Sequence, residues 1–434
     1  MKRESSPRLE RRLRAIVAVT SLLGLALWLA HNSSLRLVSA VSPTFQESLP
    51  NNHPERNPGG KAATFSTQGF VALTGEYFQA QGTNGRSCAS CHIPEEAWSI
   101  NPGTLQHLFD ETAGTHPLFN LLDANNPNMD VSTTEARLKA YSMLLTRGVF
   151  RRGGAPRANS EWELIAAEDP HGFASLTRLV HWRRAMPTIN FALGSATINW
   201  DGGNSVGADV HAGLINQATR NVTGGQQGQP APPEVIADIV GFEESLFTAQ
   251  LIVPGVGRLD SDGARGGPEA LSSMPKVAGR FDLFDAWIDH GNPRRAQIAR
   301  GQALFNDTNA GGRSCSSCHN SANNGTNINN LLFDIRTASA EARTPDLPLY
   351  TFRNRTTGQI RQLTDAGRGN ITGLWNDLGR FKTPTIRALA ARAPYFHNGI
   401  APTLDAVVRH YETHFGFVFT DEERADLVAF LNAL

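Results

Sequence analysis

The sequence predicts a mainly α-helical protein made of two loop-rich domains of common design, and three observations predict it. The stretch "GEYFQAQGTNGRSCASCH" (75–92) returns, altered, as "GQALFNDTNAGGRSCSSCH" (301–319). Two copies more than two hundred residues apart indicate two related domains and not a short-period solenoid. Apolar residues recur at helical spacing, as in "PPEVIADIVGFEESLFTAQ" (232–250), where Pro precedes the first turn, while strand-like alternation is rare. Finally, 40 Gly and 24 Pro among 434 residues suit helices joined by long loops. That length exceeds one ordinary core. Lys plus Arg and Asp plus Glu balance at 40 each, so no basic surplus points to nucleic acid and no acidic tail to a disordered partner arm.

Taken in order, residues 1–40 come first. Six basic residues from Lys2 to Arg14 precede the uncharged run "AIVAVTSLLGLALWLA" (15–30), the pattern of an export signal. The run is slightly long for a signal core and slightly short for a membrane span of about 20 residues. A cleaved signal, ending near "VSA" (38–40), and a retained membrane anchor therefore both remain open, and either places the protein in the periplasm. Residues 41–62, rich in Pro, Asn and Gly, read as a flexible linker. An N-terminal domain (63–290) and a C-terminal domain (291–434) follow, divided where "DHGNPRR" (289–295) breaks the helical pattern. Each copy of the repeat reads as an amphipathic helix running through a Gly-containing loop into a Cys pair. The last helix opens on "TDEE", where Thr420 and Glu423 have capping-box spacing, and "ADLVAFLNAL" supplies its apolar face.

All four cysteines fall in two C-x-x-C-H units: Cys88, Cys91, His92 and Cys315, Cys318, His319. This is the haem c attachment pattern. Two thiols three positions apart can form thioethers to the two haem vinyls, and the imidazole that follows reaches the iron. Structural zinc needs four N/S ligands and each unit offers three. A thioredoxin-like dithiol expects a βαβ setting, and a disulfide requires no following histidine. Two covalently bound haem c groups are therefore expected, with His92 and His319 as iron ligands.

The opposite face of each iron then decides the chemistry, because an electron-transfer haem takes a second ligand and a catalytic haem keeps that position open. None of the five methionines follows the second Cys pair. Tyr395, His397, His410, Tyr411 and His414 are the downstream candidates. In "TLDAVVRHYETHF" Leu404, Val407 and Val408 share a helical face with Tyr411, whereas His410 points elsewhere. An ordinary half-buried core tyrosine is the competing reading.

"GRFKTPTIRALAARAPYFHNGIAPTLDAVVRHY" (379–411) and "MPTINFALGSATINWDGG" (186–203) resemble the C- and N-terminal signatures of the bacterial dihaem cytochrome c peroxidases and MauG. "FEESLF" and "FDLFDAW" resemble helices that close their first domain. The resemblance spans most of the chain beyond its leader and is looser over 100–180 and 320–375. It implies two cytochrome-like domains facing one another across an inter-haem interface. The position fourteen residues after His397, a methionine in the peroxidases, is Tyr411, and MauG-type proteins carry an iron-ligating tyrosine there. By the same resemblance Trp200 relays electrons between the haems, and His397 lies beside the second one. Asn190, with the carbonyls of Arg392 and Pro394, matches an inter-haem calcium site of oxygen ligands.

One departure stands out. The peroxidases place a glutamate some twenty residues after the tryptophan to move protons, but "INQATRNVTGGQQGQ" (215–229) contains no carboxylate. Gln217 matches a family glutamine, Gln226 or Gln227 is placed to face the haem, and Glu234 sits at a helix start where dipole compensation is its default role. The implied function is oxidation of a protein or organic substrate by hydrogen peroxide, in the manner of MauG, at an open first haem. A plain cytochrome c peroxidase fed by a small cytochrome is one alternative. The other is a non-catalytic dihaem electron carrier, in which His107, His116 or Met129 closes the first haem.

Overall fold

The computed structural model describes residues 47–307 and 311–434. The expected export segment and the first residues of the linker lie outside the described residues. Among the described residues helix accounts for 34% and strand for 19%, which corrects the mainly α expectation to a mixed α and β fold. The strands escaped notice because several are buried on both faces and therefore do not alternate. Leu179–Arg184, for example, is buried at every position.

A four-stranded antiparallel sheet runs in the order His53–Asn57, Gly60–Ser66, Leu246–Val253 and Gly257–Arg258. Residues 48–62, expected as part of a flexible linker, are thus ordered, and this too is a correction. Polar, proline-containing sequence is tolerated there because the outer strand uses only one hydrogen-bonding edge. Behind it Thr64 and Thr248 bond through their buried hydroxyls at 2.9 Å.

The boundary near residue 290 does not separate two bodies, since Glu47–Leu434 forms one compact unit. Trp162–Glu168 of the first half pairs with Leu349–Asn354 of the second, whose other edge carries Ile360–Leu363. Val149–Gly154 and Leu179–Arg184 form a further antiparallel ribbon that ends at the site described below.

Near the second Cys pair the helix Pro293–Asp307 packs on Asp421–Asn432. Contact is close at Gly301, where a Cβ would lie 2.0 Å from the Asp426 carbonyl oxygen, so glycine alone fits. Arg300 pairs with Asp426 alongside at 2.7 Å, and Thr420 and Glu423 form the expected capping box. Phe281, Phe305 and Phe430 meet edge-on or tilted beneath them, and Phe305 reaches to 5.8 Å from the His319 ring. The first copy of the repeat differs: only the 3-10 turn Glu76–Phe78 forms in place of a long helix. Its upstream sequence, Phe70–Ala72, is committed to a strand with Ser48–Pro50. Downstream, Gly82 lies so close to Gln226 that a Cβ would sit 1.9 Å from its carbonyl oxygen.

Candidate functional site

Each C-x-x-C-H unit is a short helical turn opened by a serine. Ser87 and Ser314 form capping boxes with Ser90 and Ser317, which fixes the turn and brings the two cysteines to one side. The two histidines are held alike. His92 Nδ1 lies 3.0 Å from the Trp98 carbonyl, and His319 Nδ1 lies 2.6 Å from the Gly325 carbonyl. A carbonyl only accepts, so the proton sits on Nδ1 and Nε2 keeps the ligating lone pair. Burial pushes His92 down and His319 down to about 4, so both rings are neutral near pH 7. Burial pushes Cys91 up to about 11 and Cys315 to about 12, with Cys88 and Cys318 also raised. These are not the acidic thiols of a reactive dithiol, and none is in a disulfide.

Two cavities open beside these turns, of about 780 and 560 Å³, in the range of sites that enclose a cofactor. Cys88, Cys91 and His92 line the first; Cys315, Cys318 and His319 line the second. Tyr411 also lines the second cavity, carried there by the helix Leu404–Phe415 whose Leu404 and Val408 are buried. Burial raises its phenol above the ordinary range. His410 does not line the cavity: its Nε2 lies 2.7 Å from the Ile335 carbonyl, and the His414 ring lies tilted against it, 4.5 Å between centroids. Tyr395 and His397 line the cavity, but the Tyr395 hydroxyl donates to the Leu389 carbonyl at 3.0 Å.

The cavities share a wall of Arg184, Ala185, Pro187, Trp200, Lys382 and Thr385. Trp200 is fixed at both ends, its indole N–H donating to the Arg184 carbonyl at 2.9 Å and its own carbonyl accepting from Lys382 N–H at 2.8 Å. Its ring stands 6.3 Å from that of His397, which stacks on Phe381 at 3.8 Å. Burial pushes His397 down to about 3. Behind this wall lies a buried charge network. Arg183 grips Asp365 through Nε and Nη2 at 2.7 and 2.8 Å and bonds Asp201 with Nη1. His181 and His397 approach the same Asp365 at 3.6 and 3.8 Å.

Of the residues proposed to face the first haem, Gln217 and Gln226 line the first cavity. Gln226 is pinned, accepting from Gln81 N–H at 2.9 Å and donating to Asn221 at 3.3 Å. Gln227 and Glu234 are exposed and lie outside the cavity lining. So do His107, His116 and Met129: His107 faces Glu111 at 3.3 Å, His116 Nδ1 accepts from Leu118 N–H, and Met129 packs in a separate apolar cluster.

Sequence reasoning missed His181, Arg183 and Glu243, which do line it. The strand "LVHWRR" places His181 and Arg183 on one face, a period-two signal that could have revealed them. Glu243 is 2% exposed, its Oε2 has no hydrogen-bond partner among the described residues, and burial pushes it up to about 8. It supplies to this cavity the carboxyl that residues 215–229 lack. Because its folded pKa is raised, stability falls as pH climbs from the ordinary carboxylate range toward 8. Glu243→Gln is expected to flatten that decline in urea titrations run from pH 5 to 9.

The donor sets fit covalently held haem. Two thiols and a neutral imidazole border each cavity, and Arg151, Arg178 and Arg220 at the first and Arg313 and Arg380 at the second can receive carboxylates. The calcium expectation does not fit. Asn190 lines the first cavity and Arg392 and Pro394 line the second, as a site between them requires, but their polar atoms are already engaged. The Asn190 amide is engaged on both sides by the Thr248 backbone, accepting at 2.9 Å and donating at 3.1 Å. The Arg392 carbonyl already accepts from the Arg184 guanidinium at 3.2 Å.

No protein-family model matches the chain. It is 32% identical over 155 residues to cytochrome c peroxidase Ccp of Escherichia coli (strain K12), a match covering 35% of this chain and 28% of that protein. It is 28% identical over 274 residues to the methylamine utilization protein MauG of Methylorubrum extorquens, covering 58% and 64%. The chain thus spans less than two thirds of the length of the curated relatives it matches. A solved MauG-like protein associated with microbial copper homeostasis aligns over 84% of this chain and 90% of its own, at 14% identity and a TM-score of 0.37.

Proposed function

We propose that this chain, a relative of the bacterial cytochrome c peroxidases and of MauG, is an exported dihaem c-type oxidoreductase that uses hydrogen peroxide to oxidise a protein or organic substrate. The observation that carries the reading is the pair of Cys-Cys-His cavities with a common wall containing Trp200. Haem iron, once bound, supplies the reaction with peroxide and the exchange of electrons.

The chain's own residues do the rest. Cys88 and Cys91 would tether the group at the first cavity and Cys315 and Cys318 at the second, with His92 and His319 supplying the ligating nitrogens. Tyr411 is the oxygen donor of the second cavity. A hard anionic oxygen favours ferric iron, which suits a site that holds oxidising equivalents more than one that accepts electrons from a small cytochrome. Glu243, neutral below about pH 8, can hold a proton in the first cavity. Gln217 can only orient, because an amide does not titrate near neutrality. Trp200 is the side chain assigned to carry charge across the common wall.

The test begins with the ferric spectrum of the purified protein. A high-spin component that shifts on adding peroxide or cyanide is expected, and two purely low-spin sites would sink the reading. Trp200→Phe is then expected to leave that spectrum in place while slowing substrate oxidation by at least about tenfold, ~1.4 kcal/mol on the barrier. Rapid peroxide-dependent oxidation of a reduced small cytochrome would favour the plain peroxidase instead.

A further inference from the structure

The common wall contains a charge that the redox reading does not use. Arg184 is 5% exposed, and its guanidinium reaches three backbone carbonyls from two separate segments. Nη1 donates to Arg147 at 3.0 Å, and Nη2 donates to Arg392 at 3.2 Å and to Ala393 at 3.4 Å. Arg147 is the last residue of the helix Ser142–Arg147, so the first of these carbonyls belongs to the negative end of a helix. The space is shaped for the group. Gly148, at φ +62°, leaves room that a Cβ would fill 2.1 Å from Arg184 Nη1. The main chain of Arg184 is tied as well, its N–H donating to the His397 carbonyl at 2.7 Å and its carbonyl holding the Trp200 indole.

We infer that the Arg184 guanidinium is the resident cation of the wall between the two cavities, gathering the carbonyls of Arg392 and Ala393 where a metal ion would otherwise be expected. Carbonyl oxygens converging without a carboxylate form a weak cation site, since affinity for a hard divalent ion rises with ligand charge. A second buried guanidinium, that of Arg392, lies beside the first and donates to the Thr385 and Arg387 carbonyls. A guanidinium stays protonated at neutral pH, so this buried positive charge repels a further cation. A guanidinium is suited to the task because its planar donors can serve several fixed acceptors at once. Arg184 is a positioning residue: it fixes the strand end that carries Trp200's acceptor.

The experiment uses the full-length holoprotein and does not depend on turnover. Elemental analysis is expected to find far less than one calcium per chain. Dialysis against EGTA, or addition of millimolar calcium chloride, is expected to leave both Tm and the ferric spectrum unchanged. Close to one calcium per chain, removed by EGTA with a fall in Tm, would overturn the inference. Arg184→Ala frees the three carbonyls, so its Tm is expected to fall and then to rise on adding calcium, a response the wild type lacks. A folded Arg184→Ala variant with wild-type Tm and no calcium response would overturn it too. If that variant does not fold, the wild-type measurements still decide.

Discussion

Tyr411→Phe is expected to convert the C-terminal site of the ferric holoprotein from low to high spin while leaving the N-terminal site's signals in place. Removing one oxygen keeps the ring and its contacts, including those with Phe396 at 6.3 Å and Phe415 at 5.7 Å, so packing changes little. What disappears is the one oxygen donor that the helix Leu404–Phe415 directs to the cavity. The reduction potential of that site is expected to rise, by about 59 mV for every tenfold loss of preference for the ferric form. Potentiometry with spectral detection measures both quantities. His410 offers no substitute, because its Nε2 is bonded to the Ile335 carbonyl. An unchanged spectrum in Tyr411→Phe would remove tyrosine ligation and reopen the histidines.

Arg183→Met carries the largest expected loss of stability. Arg183 stands between Asp201 and Asp365, all three buried, and burial with two carboxylate partners fixes the charges. Arg183 and its neighbouring histidines hold Asp365 well below the usual carboxylate range, while the two carboxylates raise Arg183. Deleting the guanidinium leaves two carboxylates in a low-dielectric wall, at a cost of about 3–5 kcal/mol. Denaturant unfolding at pH 7 measures it. Because the Asp365 pKa is depressed, the stabilisation is complete above an ordinary carboxylate pKa of about 4 and is lost as pH falls below it. The double variant Arg183→Met with Asp365→Asn is expected to recover part of the loss, since one of the orphaned charges is then absent.

What could be read from the sequence was local. The Cys-Cys-His units declare themselves because tether and ligand must lie within five positions of one another. Tyr411 could be singled out because a helix repeats its faces every 3.6 residues. The network of His181, Arg183, Asp365 and His397 could not, because its members come together only when segments nearly two hundred residues apart meet. Glu243 was hidden for another reason: within "FEESLF" it looks like any acid on a helix, and only the fold turns it inward. The β content was missed because fully buried strands show no alternation. Nor does any local pattern display Arg184, in the strand Leu179–Arg184, reaching carbonyls of the expected calcium segment about two hundred positions away.

The pairing of Trp162–Glu168 with Leu349–Asn354 bears on how the protein is manufactured. The first cavity borrows Thr326, Asn370 and Lys382 from the later part of the chain, so its wall cannot close until nearly the whole polypeptide has emerged. The second cavity likewise draws on Leu427 and Leu431, so both Cys pairs are enclosed only once the last helix is in place.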